Sequence, residues 1–385
     1  MKKIYIKLLT AIILTSSTLN GLSFEHYQLY KDIDVMKMGG VNIGLGGANS
    51  ALFYNPAGLS KLKASDGFEL KLANINLSTN SKVVNLVQNS ESLLSRVGDL
   101  NGDGESNSED DKVIYLMEKI ESNIGENANF DGSNFSSIGK KIGVFGFSFG
   151  FLTALDLNFQ PHRGFGSEGL IEVNGLFLNG MALGVSYDIS DSFSIGVGSK
   201  HLEYNSLSRG LGVDEVLEKR DNFIEYLDKD VAYQGDSTVF DIGMLYRINR
   251  YLNFGLSAIN IGGIGDNRAV EVPETVNIGI GAGGYTGYKY IPEFRAGIDY
   301  MDLTENYSTG DTIKKVRAGV ELSIIDTSII TFKVAGGLYQ GYYTAGTTLR
   351  LTVLQIGFAT YAEELGAYSG EREDRRYIVN LSVGW

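Results

Sequence analysis

Toward its end the chain alternates with a period of two residues. Tyr377, Val379, Leu381, Val383 and Trp385 fall on one face of an extended segment. Arg376, Asn380, Ser382 and Gly384 fall on the other, with Ile378 the one apolar residue among them. This is the pattern of a β-strand with one oily face. In water that face must pack against a second sheet. In an outer-membrane barrel it meets lipid, and aromatic side chains ring the rims. A strand that closes on Trp385 suits the second environment, so the fold turns on whether the pattern recurs.

It recurs along most of the chain. Phe145, Phe147, Phe149 and Phe151 share one face, and Val144, Gly146, Ser148 and Gly150 share the other. Four phenylalanines on one exposed face would be an aggregation hazard in water. Phe177, Asn179, Met181, Leu183, Val185 and Tyr187 form a longer run. Phe193, Ile195 and Val197 alternate with Ser194, Gly196 and Gly198. In the last third, Phe294, Ala296, Ile298 and Tyr300 oppose Arg295 and Asp299. Val316, Ala318, Val320 and Leu322 oppose Arg317 and Glu321. Ile330, Phe332 and Val334 oppose Thr331 and Lys333, and Leu349, Leu351 and Val353 oppose Arg350 and Thr352. Charges in these last strands keep to one face. Earlier, Phe68, Leu70 and Leu72 mark a first strand, and Gly139-Lys140-Lys141 reads as a tight turn.

The count is about fourteen, even, with both ends on one side. Connections alternate between very short ones, such as Ser190-Asp191-Ser192 and Asp326-Thr327-Ser328, and long ones. The expected fold is all-β: a transmembrane antiparallel barrel of about fourteen strands, with an N-terminal lumen plug and helical outer loops. A soluble two-sheet barrel of this size would leave many apolar faces without a partner.

Composition agrees. Gly numbers 49, Tyr and Phe 22 and 19, and Pro only 4, a mixture suited to many strands and tight turns. The absence of Cys rules out disulfides and thiolate metal sites. A net charge of -13 argues against nucleic acid as a partner, which needs a basic face. Residues 1–23 read as a signal peptide: Lys2 and Lys3 precede a short apolar run, and Gly21 and Ser23 fit a cleavage site before Phe24. Export to the outer membrane follows as an expectation.

Residues 24–64 hold Met38-Gly39-Gly40, Gly44-Leu45-Gly46-Gly47-Ala48 and Tyr54-Asn55-Pro56-Ala57-Gly58-Leu59. The glycines allow close backbone packing and positive φ, and Asn55 before Pro56 suits a turn or a helix start. Such a segment either folds back into the lumen or is a glycine-rich linker. Residues 65–385 make the barrel. It carries an insertion at 80–130 with amphipathic helices over 81–97 and 109–124, and a helical loop at 211–229.

Between those two helices lies Asp99-Leu100-Asn101-Gly102-Asp103-Gly104-Glu105-Ser106-Asn107-Ser108-Glu109-Asp110. Asp99, Asn101, Asp103 and Asp110 fall at positions 1, 3, 5 and 12 of an EF-hand or dockerin-type calcium loop. Gly104 stands at the sharp turn, Glu105 offers its carbonyl, and Asn107 binds directly or through water. Asp110 in place of Glu weakens the fit, and the alternative is a solvated acidic turn. Calcium here would staple two helices; no cofactor is otherwise required. His26, His162 and His201 are far apart and no serine–histidine pair stands out, so no enzyme activity is expected.

The segments around Met38–Ala48 and Asn55-Pro56-Ala57 resemble the N-terminal hatch of the FadL-type outer-membrane transporters. Ile259-Asn260-Ile261-Gly262-Gly263, followed by Val272-Pro273-Glu274-Thr275-Val276-Asn277-Ile278-Gly279, resembles their strand–loop–strand signature. The resemblance spans nearly the whole mature chain. It implies passive transport of long-chain fatty acids or other hydrophobic small molecules through a plugged barrel, with Asn55, Pro56 and Ala57 at the gate. In that family a kinked third strand opens a side door, and Gly146 and Gly150 either permit such a kink or relieve crowding against the hatch. Arg295, Arg317, Lys333 and Arg350 either pair across strands or hold a ligand carboxylate. The chain also resembles TraF-like conjugation proteins and PorV-like secretion barrels, which implies the alternative of a docking barrel without transport. The expected partners are outer-membrane lipid, the hydrophobic solute, and the barrel-assembly machinery, which would engage the C-terminal strand.

Overall fold

The computed structural model describes residues 26–62, 68–83, 127–161, 171–211, 233–265, 270–288, 290–307 and 311–384. The signal segment, the acidic loop at 99–110, nearly all of the three expected helices and Trp385 lie outside the described residues.

Fourteen strands close into one antiparallel barrel. They are β1 (Glu69–Asn80), β2 (Ala128–Ile142), β3 (Phe145–Pro161), β4 (Ile171–Ser190), β5 (Phe193–Leu211), β6 (Tyr233–Arg247) and β7 (Leu252–Ile261). Then follow β8 (Thr275–Tyr288), β9 (Ile291–Tyr300), β10 (Val316–Asp326), β11 (Ile330–Tyr339), β12 (Tyr342–Leu351), β13 (Leu354–Glu364) and β14 (Glu373–Gly384). Each strand pairs with its sequence neighbours, and β1 pairs with β14 to shut the ring. Closure removes the sheet edges that would otherwise seek another chain.

The outward positions are the apolar ones read from the sequence. Phe145, Phe147, Phe149 and Phe151 all point out, as do Leu183, Val197, Ile242, Ile298, Val379 and Leu381. The opposite face of β14 is buried in the lumen, including Arg376, Asn380 and Ser382. An oily exterior on a closed barrel is the arrangement that spans an outer membrane.

Two details differ from the sequence reading. Gly139, Lys140 and Lys141 lie within β2; the turn falls at Gly143-Val144, where Gly143 takes φ +58°. Lys140 stands exposed at the rim, while Lys141 turns inward to Ser60 O and Asp188. In β1 the outward set changes parity, from Leu72 to Ile75 and Leu77. A bulge between Lys71 and Ile75 makes the change, because one extra residue reverses which side chains face out. Ser136 Oγ donates to Leu72 O (2.8 Å) and Asn74 N to Asn134 Oδ1 (2.9 Å), filling the broken ladder.

Residues 26–62 touch strands all round the ring and therefore lie in the lumen. They form a short helix α1 (Ile33–Met36) and two 3₁₀ turns, Asn49–Phe53 and Pro56–Lys61. Their backbone sits directly on inward glycines. A Cβ on Gly319 would stand 2.0 Å from Met38 O, one on Gly255 2.2 Å from Ile43 O, and one on Gly196 2.3 Å from Ala57 N. Any side chain at these positions would push the inner segment off the wall.

Candidate functional site

The inner segment is fastened by buried charge. Lys31 Nζ lies 2.7 Å from Asp131, 3.5 Å from Asp156 and 3.5 Å from Glu363. Burial favours the neutral amine, but Asp131, Tyr361, Glu363 and Asp156 outweigh it and hold the pKa well above the usual lysine range. Lys37 Nζ reaches Asp34 (2.6 Å), Glu321 (2.8 Å) and Thr348 Oγ1 (2.7 Å). Asp299 Oδ2 accepts from the amides of Asn42 (2.7 Å) and Ile43 (2.9 Å).

Asn55, Pro56 and Ala57 form another fastening. Asn55 Nδ2 donates to Ile43 O (2.9 Å) and Met244 O (3.0 Å), and its Oδ1 accepts from Ala57 N (3.1 Å). Pro56 opens the second 3₁₀ turn, where its missing N–H costs nothing. The motif thus anchors the segment to β5 and β6.

Gly146 sits against Leu59 O, and Gly150 against Phe135 and Ser136 O. β3 pairs in unbroken register with β2 and with β4. No register shift interrupts β3 at either glycine, and Gly146 makes room for the inner segment.

The four basic residues do not form one group. Arg295, Lys333 and Arg350 line a cavity of about 420 Å³ at the short-turn end, together with Lys71. Its other walls include Asp32, Asp34, Glu69, Val35, Leu62 and Phe135. Arg350 donates to Thr331 Oγ1 (3.0 Å), Arg295 to Gly46 O (3.3 Å), and Lys333 pairs with Glu321 (3.3 Å). Arg317 lies apart, toward the long-loop end. It is 1% exposed, stacks 3.9 Å from the Tyr339 ring centroid and donates to Lys314 O. There it borders a small cavity lined by His26, Tyr27, Asn277 and Tyr307, apart from the other three cations.

Sequence reasoning missed the inner face of β3–β6. Leu152, Leu176, Leu178, Leu202 and Val239 point into the lumen and pack with Leu29, Phe53 and Tyr54 of the inner segment. The β7–β8 connection adds Ile264, Val270 and Val272. Around these positions both faces are apolar, so the signal was present as a local loss of alternation. Elsewhere around the ring the inward residues include Asn74, Asn76, Asp131, Glu321, Asp374, Arg376 and Asn380, beside Tyr339, Tyr361 and Ile378.

The second motif gains a physical reason here. Lys200 Nζ donates to Asp241 Oδ1 (2.6 Å) and to Asn260 Oδ1 (3.0 Å), and Asn260 N donates to Asp241 Oδ1 (2.9 Å). These bonds hold a bulge opposite Asp241, with Asn260 at φ +56°. The bulge and the following Gly262-Gly263 turn the connection inward over the apolar wall.

No family model matches the chain, and no curated protein matches it. Solved structures do resemble it. The toluene transporter TodX of P. putida is 12% identical, with a TM-score of 0.52 over 92% of this chain and 98% of that one. The toluene transporter TbuX of Ralstonia pickettii is 10% identical, with a TM-score of 0.52 over 92% and 98%. The monoaromatic hydrocarbon channel CymD is 8% identical, with a TM-score of 0.53 over 92% and 97%. At these identities the likeness is one of fold: this chain is a fourteen-stranded outer-membrane barrel built like theirs.

Proposed function

We propose that the protein lets small hydrophobic molecules cross the outer membrane by passive diffusion through the barrel. One observation carries this reading: the inward face of β3–β6 is apolar over Leu152, Leu176, Leu178, Leu202 and Val239. A water-filled porin keeps a polar interior, and an apolar luminal wall offers an oily solute a path that water does not. The fold shared with hydrocarbon channels supports the same reading. A solute would descend this wall by displacing the β7–β8 connection and would pass the inner segment near Phe53 and Tyr54. Long-chain fatty acids are the finer proposal, with Arg295, Lys333 and Arg350 receiving the carboxylate in the lower cavity.

A second reading is a docking barrel that transports nothing. The observation that favours it is the density of the lumen, where Lys31 and Lys37 are locked into carboxylates and the apolar cluster is closely filled.

Liposome reconstitution separates the two. Purified barrel should speed the influx of toluene and of a fluorescent fatty acid several-fold over empty liposomes, and leave a hydrophilic sugar unaffected. Mild-detergent preparations should carry lipophilic molecules detectable by mass spectrometry. Influx equal to that of empty liposomes, with nothing bound after gentle isolation, would leave the docking reading standing.

A further inference from the structure

The outer face of β7–β10 differs from the rest of the exterior. Where β3 presents phenylalanines, the corresponding positions here are Ala282, Ala296 and Ala318. The register sets them close together, with Ala282 opposite Ala296 and Ala318 opposite Ile298. The result is a lengthwise groove of about 630 Å³, walled by Phe254, Ile278, Ile280, Ile298 and Tyr300 and almost wholly apolar. Its volume is in the range of small-molecule pockets. The wall is thin here because Gly281, Gly297 and Gly319 on the other face receive the backbone and side chains of Met38, Val41 and Gly44.

The short-turn end of the groove carries a cation on an aromatic seat. Tyr251 lies over Gly284, where a Cβ would come 2.8 Å from its ring, and Gly283 N donates to Tyr251 O (2.9 Å). The Arg250 guanidinium stacks 4.2 Å from the Tyr251 ring centroid. Arg250 is exposed and has no acidic partner among the described residues. Tyr285, Tyr288 and Tyr290 stand exposed along the same rim. Tyrosines and a cation at this level belong to the membrane interface, where lipid phosphates lie. Apolar groove and cation are thus stacked in the order of a lipid's tail and head, on a protein whose net charge is negative.

We propose that this face holds one glycerophospholipid from the leaflet on the short-turn side. An acyl chain lies in the groove against Phe254, Ile280 and Ile298, and the phosphate sits on Arg250. The site is on the outside of the barrel and does not depend on what crosses the lumen.

Native mass spectrometry of the full-length protein tests it. The protein is extracted in mild detergent and supplied with phosphatidylglycerol and phosphatidylethanolamine. Wild type should retain one phospholipid under activation that strips all others. Arg250→Glu should lower that retention about tenfold, and Ala296→Phe, which fills the groove, should abolish it. Val197→Phe, on the exterior of β5, should leave it unchanged. Heat-modifiable gel mobility checks that each variant is folded. Wild type released as readily as a lipid on any other face overturns the proposal. So does full retention in Ala296→Phe, and so does a second protein copy lost from the complex in that variant, which would make the groove a contact between barrels.

Discussion

The two sides of the lumen share an apolar exterior and differ in what predominates within. Along β3–β6 the residues between the lipid-facing phenylalanines, leucines and valines are Leu152, Leu178, Leu202 and Val239. Along β9–β14 and on through β1 and β2 they are Glu321, Arg376, Asn380, Asn76 and Asp131. Lipid keeps the outer face apolar on both sides, because hydrocarbon rejects unpaired polar groups. The inner face answers to whatever it meets. The polar side holds the inner segment by ion pairs and by the Asn74 and Asn76 amides that donate to Tyr30 Oη, and the apolar side holds it by packing against Phe53 and Tyr54. The first kind of contact is directional and expensive to break at one partner; the second yields by degrees.

That contrast can be tested by removing one member from each side. The largest effect is expected from Lys31→Met, which strands Asp131, Asp156 and Glu363 together. Breaking such a buried cluster typically costs about 3–5 kcal/mol. Hydrogen exchange should show the backbone of residues 26–45 losing protection while the strands keep theirs; unchanged protection would refute the latch. Next comes Leu202→Asn, which places an amide in the packed apolar wall at a cost of about 1–3 kcal/mol. Toluene influx into liposomes should fall several-fold, and an unaltered rate would mean that the solute does not follow this wall.

A smaller, pH-dependent effect is expected at the long-loop end. His26 is buried, stacks on Tyr307 at 4.4 Å between centroids, and has no hydrogen bond at Nε2 among the described residues. Burial, then Lys314, Arg317 and Lys315, lowers its pKa well below the ordinary 6.5. The unfastened state therefore binds the proton more readily. The contribution of His26 to docking is intact above pH 6.5 and declines as pH falls below it. Exchange protection at residues 26–30 should drop in acid, and His26→Phe should flatten that response. The smallest effect concerns the Asp99–Asp110 loop, which is expected to bind calcium at about 10⁻⁴–10⁻³ M. Calorimetry with Asp103→Ala should abolish the signal, and an identical titration would identify the loop as a solvated turn.

Much of this architecture is legible in the residue order. Alternation assigned an outward face to each strand it identified, while the residue order around Asn55-Pro56-Ala57 left a lumen segment and a linker both open, because its partners Ile43 O and Met244 O are not visible in the sequence. Alternation reports which of two faces a side chain takes, not what stands opposite it across the lumen. It therefore grouped Arg317 with Arg295, Lys333 and Arg350, although Arg317 lies at the other end, stacked on Tyr339. It also faltered at Leu72–Asn74, where a bulge shifts the phase, and at Gly139-Lys140-Lys141, where a glycine beside lysines mimics a turn inside a strand. Lys31, Lys37 and Lys200 escaped notice because a buried lysine looks like a surface one until its carboxylates arrive from distant strands.

Strand length has a consequence for the shape of the mouth. β4 runs 20 residues, while β11, half a turn away around the fourteen-stranded ring, runs 10. At about 3.3 Å per residue and a tilt near 45°, one side of the rim stands roughly 20 Å higher than the other. The low sill is the two-residue step at Gln340-Gly341. Among the described residues, the strand wall is thus cut obliquely, like the lip of a scoop. Leu176, Leu178 and Leu202 lie on the taller side, so the high wall is the one that packs against Phe53 and Tyr54 of the inner segment.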